Sequence, residues 1–347
     1  MRRIFVTGGT GFIGRRLVDR LVRDGTPPVC LVRSLNKVRG WDERGIRSVV
    51  GALERPETYA AALADCDLVI HVAGLTHALQ PSELMRVNGL DCGRLAESCL
   101  TAGVKRLVHV SSLAAAGPVP VGSRPRVETD PDEPISNYGR SKLEGENEFR
   151  RRAGELEISV IRPGFVYGPG DAKLEPLIRS IDRLRVHVLV GRPDPQLSFL
   201  HVDDLVNLIL LAAWQGETLL PKPDGLEERA RGVYFACDDH EFLTYGQFGK
   251  RIAERLGKQV LLLPLSRPAG FAVAAIAQFA GSLIGKPSIL NVDKVREATA
   301  PAWLCSSVKA QTQLGFSPAR TLDQYLPDMI NSYLPGSIAG SGAESTA

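Results

Sequence analysis

Tyr138 stands four residues ahead of Lys142 in the run NYGRSKLEGE. On a helix that spacing puts both side chains on one face, so an ammonium could sit beside a phenol and favour its ionised form. An unperturbed tyrosine titrates near about pH 10, and such a partner is one way to bring it toward working pH. A third group stands upstream, where the apolar segment RLVHVSS closes on Ser111 and Ser112. A hydroxyl at the end of a strand could hold a substrate oxygen while the phenol moves the proton. The Tyr-Lys spacing alone is weak evidence, because such pairs arise by chance.

The elements that would position these residues are regular in the first half. Apolar, β-branched segments recur at 3 to 8, 28 to 33, 46 to 51, 67 to 74, 105 to 112 and 158 to 164, separated mostly by amphipathic stretches that end in glycine. Strands alternating with helices imply a parallel sheet covered on both faces, the doubly wound α/β (Rossmann) arrangement. After Pro163 the pattern loosens, and helical stretches at roughly 172 to 185, 203 to 215, 244 to 257 and 269 to 285 follow without regular strand partners. The expected organisation is a dinucleotide-binding domain over 1–165, rejoined at about 195–240, with a smaller, mainly helical substrate cap from about 166–194 and 241–334. Residues 335–347, small and polar, read as a flexible tail.

TGGTGFIG follows the first strand and opens a helix, the context in which a glycine-rich turn binds a pyrophosphate. It satisfies both GxGxxG and GxxGxxG, so spacing does not fix the subfamily. Sites of this type that bind NAD carry an acidic residue about 20 positions further on, whereas arginine accommodates the extra phosphate of NADP. The segment LVRSLNK offers Arg33, Ser34 and Lys37 and no carboxylate, which favours NADP(H) over NAD(H).

Together these motifs resemble the extended short-chain dehydrogenase/reductase superfamily, the NAD-dependent epimerase/dehydratase type. TGGTGFIG, HVAG at 71 to 74, VSS at 110 to 112 and YGRSK occur in the expected order, and RPGFVYGPGD and FLHVDDLV extend the likeness into the second half. The resemblance implies that Gly8, Gly11, Phe12, Ile13 and Gly14 hold the pyrophosphate and that Ala73 and Gly74 line the cofactor. Pro163 and Val166 would then lie beside the nicotinamide, and Ser112, Tyr138 and Lys142 would do the chemistry. Asn88 matches a position that often orders the active site, and His201 is a candidate substrate contact, whereas His71 and His109 read as core histidines. Ala52 stands where many relatives place an aspartate for the adenine.

SSLAAAGP looks like the corresponding run of 3β-hydroxysteroid dehydrogenases and dihydroflavonol reductases, and the Thr-Asp-Glu trio of sugar 4,6-dehydratases is absent. The expected activity is hydride transfer between nicotinamide and a lipophilic secondary alcohol or ketone. A nucleotide-sugar epimerase and a non-catalytic NADP(H)-binding sensor are the alternatives. Relatives often dimerise through helices of the Rossmann domain, so a homodimer is expected.

A net charge of +3 with no long like-charged run gives no footprint for nucleic acid. The six cysteines show neither CxxC pairs nor metal-ligand spacing with histidine, so reduced, mostly buried thiols and no metal are expected. The N-terminus runs straight into a strand, without a leader pattern, which points to a cytoplasmic protein. The uncharged stretch 268–285 is expected to be a packed helix, with Phe271, Ala275, Phe279 and Leu283 on one stripe; a peripheral membrane-surface contact is the second reading.

Overall fold

Short β-branched runs bounded by glycine turns form the strands of the protein, a computed structural model that describes residues 3–191, 194–288 and 290–338. In chain order these are β1 (Ile4–Thr7), β2 (Val29–Val32), β3 (Arg47–Val50), β4 (Leu68–His71), β5 (Arg106–Val110), β6 (Glu157–Pro163), β7 (Phe165–Tyr167), β8 (Val186–Val190), β9 (Gln196–His201), β10 (Val233–Ala236), β11 (Phe242–Thr244), β12 (Leu261–Leu265) and β13 (Ala302–Trp303). Seven of them make one parallel sheet in the order β10-β6-β5-β4-β1-β2-β3. Parallel neighbours need crossovers, and helices supply them. Phe12–Arg23 and Val202–Gln215 bury Leu17, Leu21, Leu205 and Ile209 against one face, while Asp91–Ala102 and Asn137–Arg150 bury Leu95, Cys99 and Phe149 on the other. The strand order reverses between β1 and β4, so the chain leaves the carboxyl ends of these two strands in opposite directions and opens a crevice there.

The second half carries more strand than its loosened pattern suggests. β9 is flanked by β11, β13 and β7 in a small mixed sheet, and β12 pairs with β8. These pieces are two to six residues long, too brief to show a period. The four anticipated helices are present at Glu175–Leu184, Val202–Gln215, Tyr245–Arg255 and Arg267–Leu283. From the stretch 195–240, β10 joins the large sheet and Val202–Gln215 packs on it, while β9 belongs to the small sheet. Of the proposed tail, 339–347 lies outside the described residues.

Helix Arg267–Leu283 is turned the other way from the expected stripe. Its buried positions are Gly270, Ala274 and Gly281, whereas Ile276, Phe279 and Leu283 are 70%, 66% and 72% exposed. Close approach decides this. A Cβ on Gly270 would come within 2.5 Å of Val190 Cγ1, and one on Gly281 within 2.5 Å of the Lys286 carbonyl oxygen, so only the small-residue face fits against the body. Among the described residues no helix is long and apolar enough to cross a membrane.

Candidate active site

The glycine turn after β1 is a cradle that side chains would fill. Gly8 has φ +75°, and a Cβ there would lie 2.5 Å from the Ala73 nitrogen; a Cβ on Gly14 would run into the Gly8 carbonyl oxygen. Gly11 caps helix Phe12–Arg23 without a side chain, so the N–H groups of the first turn are left for an outside acceptor. Phe12 and Ile13 lie in that turn. Ala73 and Gly74 follow β4 directly opposite, which makes a floor and a wall shaped for a dinucleotide pyrophosphate. Arg33, Ser34 and Lys37 are exposed just past β2. Neither Arg33 nor Lys37 makes an ion pair among the described residues, while Ser34 accepts a hydrogen bond from the Asn36 nitrogen. Pro163 closes β6 and Val166 lies in β7, against the core of the large sheet.

Ser112 caps the short helix Leu113–Ala116 at the end of β5 by accepting from the Ala114 nitrogen, and its hydroxyl acts on the Tyr138 phenol to hold its pKa down. Ser136 opens helix Asn137–Arg150 by accepting from the Gly139 nitrogen, which sets Tyr138 in the first turn and Lys142 one turn further. The two do not pair as the spacing allows. Lys142 is buried, and its ammonium donates to the Val110 carbonyl oxygen at 2.8 Å and lies 3.5 Å from His109 Nε2. Burial lowers its pKa, against the pull of Cys92 and Glu146. A Cβ on Gly74 would lie 3.8 Å from the same ammonium, so Lys142 faces the cofactor wall.

The cation over Tyr138 comes from elsewhere. Lys294, on helix Val292–Ala298, places its ammonium 4.8 Å from the Tyr138 ring centre and pairs with Glu297 at 2.6 Å. Glu297 also accepts from the Ser136 hydroxyl at 2.6 Å, and Asp293 accepts from the backbone nitrogens of Asn137 at 2.9 Å and Tyr138 at 3.0 Å. One short helix thus supplies the acceptors for the exposed amides at the start of the tyrosine's own helix. Burial pushes the Tyr138 phenol up, and Lys294 and the Ser112 hydrogen bond hold it back.

Beneath the site, the Arg162 guanidinium bridges Glu146 at 2.6 Å and Asp132 at 2.6 Å, and Ser111 donates to Glu146. Burial opposes the Arg162 charge, but the two carboxylates outweigh it and raise its pKa. Asn88 is fully engaged: it accepts from the Leu75 nitrogen and donates to the Leu75 carbonyl and the Ser141 hydroxyl, so it ties the wall after β4 to the tyrosine's helix. His201 is away from the cleft, buried between Tyr167 and Tyr325, with its pKa pushed down to about 4 by burial. His71 and His109 stack at 5.1 Å in the core, and burial lowers both. With Cys92 they bring three potential ligand atoms within 4.8 Å, but the Lys142 ammonium beside them opposes a cation. A cavity of about 240 Å³ opens between Thr76–Leu84 and the cap, lined by His77, Leu79, Asn137, Gln278, Val292 and Arg296 among others, and reaches the start of the tyrosine's helix at Asn137.

A profile of the NAD-dependent epimerase/dehydratase family matches residues 4–222. The chain belongs to that family. It is 29% identical to a ceramide reductase of Caulobacter vibrioides over 88% of this chain and 86% of the relative. It is 30% identical to a 4-hydroxy-2-methyl-3-oxo-4-farnesyl-3,4-dihydroquinoline-1-oxide ketoreductase of Stigmatella aurantiaca over 85% and 90%. Relatives also include a 3β-hydroxysteroid dehydrogenase/decarboxylase and a putative dihydroflavonol 4-reductase. Among solved structures, the UDP-glucose 4-epimerase of Thermus thermophilus in complex with NAD superposes with a TM-score of 0.73 at 22% identity, covering 96% of this chain and 99% of the other. Members of the NAD-dependent epimerase/dehydratase family use nicotinamide cofactors and act on small molecules, and the named relatives are enzymes.

Helix Val292–Ala298 is what sequence reasoning missed in this family member. The signal for the helix was present, since Asn291 is a capping residue followed by Asp293 in the first turn. Nothing local told where it docks.

Proposed function

We propose that the chain is an NADP(H)-dependent oxidoreductase that interconverts a lipophilic secondary alcohol and its ketone. The observation that carries this reading is the grouping of Ser112, at the carboxyl end of β5, with Tyr138 and Lys142 on the helix that opens there, the Lys142 ammonium facing Gly74 across from the glycine cradle. The nicotinamide cofactor, when bound, accepts or donates the hydride. The turn Gly8 to Gly14 with Phe12 and Ile13 would hold its pyrophosphate, Arg33 with Ser34 and Lys37 the ribose phosphate that distinguishes NADP, and Ala73, Gly74, Pro163 and Val166 its walls. Ser112 hydrogen-bonds the substrate oxygen. Tyr138 takes the hydroxyl proton at its phenolic oxygen in the oxidative direction and returns it in the reductive one. Lys142, facing the cofactor wall, contributes positive charge there.

Two observations support a lipophilic substrate. Relatives similar over most of the chain are named for ceramide and for a farnesylated quinoline. The cavity is walled in part by Gln278 of the helix whose outer face carries Ile276, Phe279 and Leu283, which would bring the entrance to an apolar phase. The test is absorbance of reduced nicotinamide with NADP or NAD and a panel of long-chain hydroxy and keto lipids, 3β-hydroxysteroids and nucleotide sugars. Tyr138→Phe should lower turnover by at least about 100-fold. Inversion of a nucleotide sugar without net cofactor turnover, or a fully active Tyr138→Phe, would sink this reading.

A further inference from the structure

Three elements pack toward Tyr138, and one of them brings charge to it. From its own helix Lys142 is turned away to Val110; from the loop after β5 comes only the Ser112 hydroxyl; from the cap come Asp293, Lys294 and Glu297. Asp293 is spent on the Asn137 and Tyr138 backbone nitrogens and on Arg296. Burial lowers the pKa of both Lys173 and His77, and the Lys294 charge lowers each further. The ammonium over the phenol ring therefore belongs to Lys294.

We propose that Lys294 is a positioning residue that sets the proton affinity of Tyr138, and that Glu297 tempers it. The proposal rests on the reading of Tyr138 as the proton-transfer group. A cation over the face of an aromatic ring is held by the ring itself, and its charge favours the phenolate over the phenol. Burial works against the Lys294 ammonium, but Glu297 and Tyr138 outweigh it and raise its pKa, so it stays charged across the working range. Glu297, 2.6 Å from that ammonium, is anchored by Ser136 just ahead of the tyrosine. Its negative charge acts on the phenol in the opposite sense. The lysine side chain keeps 33% of its surface open, so water screens the pair on one side and the effect is moderate.

The two members of this pair should move the tyrosine in opposite directions, which a purely structural helix would not do. With NADP bound, the alkaline phenolate absorbance is measured for each protein with its own Tyr138→Phe version subtracted, alongside the pH profile of kcat/KM. Lys294→Met should raise the Tyr138 midpoint by about one pH unit, as expected for loss of an opposite charge at this range. Lys294→Arg should restore it, and Glu297→Gln should lower it. An unmoved midpoint in both Lys294→Met and Glu297→Gln overturns the proposal, whatever happens to the rate; so does a shift of the same sign in both. Because the spectroscopic titration needs no substrate, it separates this outcome from failure of the functional reading, which an active Tyr138→Phe would show.

Discussion

Tyr138 lies between a floor and a roof of different construction. The floor is the sheet with the tyrosine's own helix: Lys142, Arg162, Glu146 and Ser111 are buried and partnered, and Gly8 and Gly14 touch backbone at distances that leave no room for a methyl. The roof is a seven-residue helix, Val292–Ala298, whose Asp293, Lys294 and Glu297 reach the site while each keeps part of its surface at the cleft. A floor of buried partners has one arrangement. The short helix meets the tyrosine's helix through the carboxylates of Asp293 and Glu297 and joins no strand of the large sheet. Position of the reacting atoms belongs to the floor, and the electrostatic setting of the tyrosine belongs to the roof.

This contrast breaks if the floor yields or if the roof carries the fold. Gly14→Ala should have the largest effect: its methyl meets the Gly8 carbonyl oxygen, and distorting the turn should cost about 3 kcal/mol, on the order of 100-fold in cofactor affinity measured by calorimetry. Near-normal affinity would show a floor more yielding than it looks. Arg162→Met should come next, at about 3–5 kcal/mol in denaturant unfolding, because it leaves the buried Glu146 and the half-buried Asp132 without their cation. Asp293→Asn should be mildest, costing about 1 kcal/mol, since its one amide oxygen still accepts from one of the Asn137 and Tyr138 nitrogens and only the other bond is lost. Here cofactor affinity should stay as in the parent while turnover falls. Global unfolding by Asp293→Asn would mean that roof and floor are one unit.

The sequence made the floor legible and the roof opaque, and the reason is range. Every strand of the large sheet up to β6 announces itself by β-branched runs and glycine stops, and the cradle by residues within one turn of each other. The pairing of Tyr138 with Lys142 was also inferred from local spacing, but burial drew the ammonium toward Val110 instead. Helical spacing permits a contact without enforcing it. The stripe Phe271, Ala275, Phe279 and Leu283 misled for a related reason. Apolar periodicity marks a face, and which face goes inward was decided by how closely Gly270, Ala274 and Gly281 let the backbones approach. Asn88 was marked by a family position that often orders the active site, yet its grip on Leu75 and Ser141 joins distant segments that no pattern connects.

The separation of roof from floor also has a meaning in time. The amide of Tyr138 and the carboxylate of Asp293 that receives it are 155 residues apart in the chain. At translation speeds of about 5–20 residues per second, roughly 8–30 s pass between the appearance of one and of the other. For the first part of that interval β6 has no β10 beside it, and for all of it Tyr138 lacks the helix that brings Asp293, Lys294 and Glu297. The tyrosine is thus made early and its charged surroundings only with the last quarter of the polypeptide.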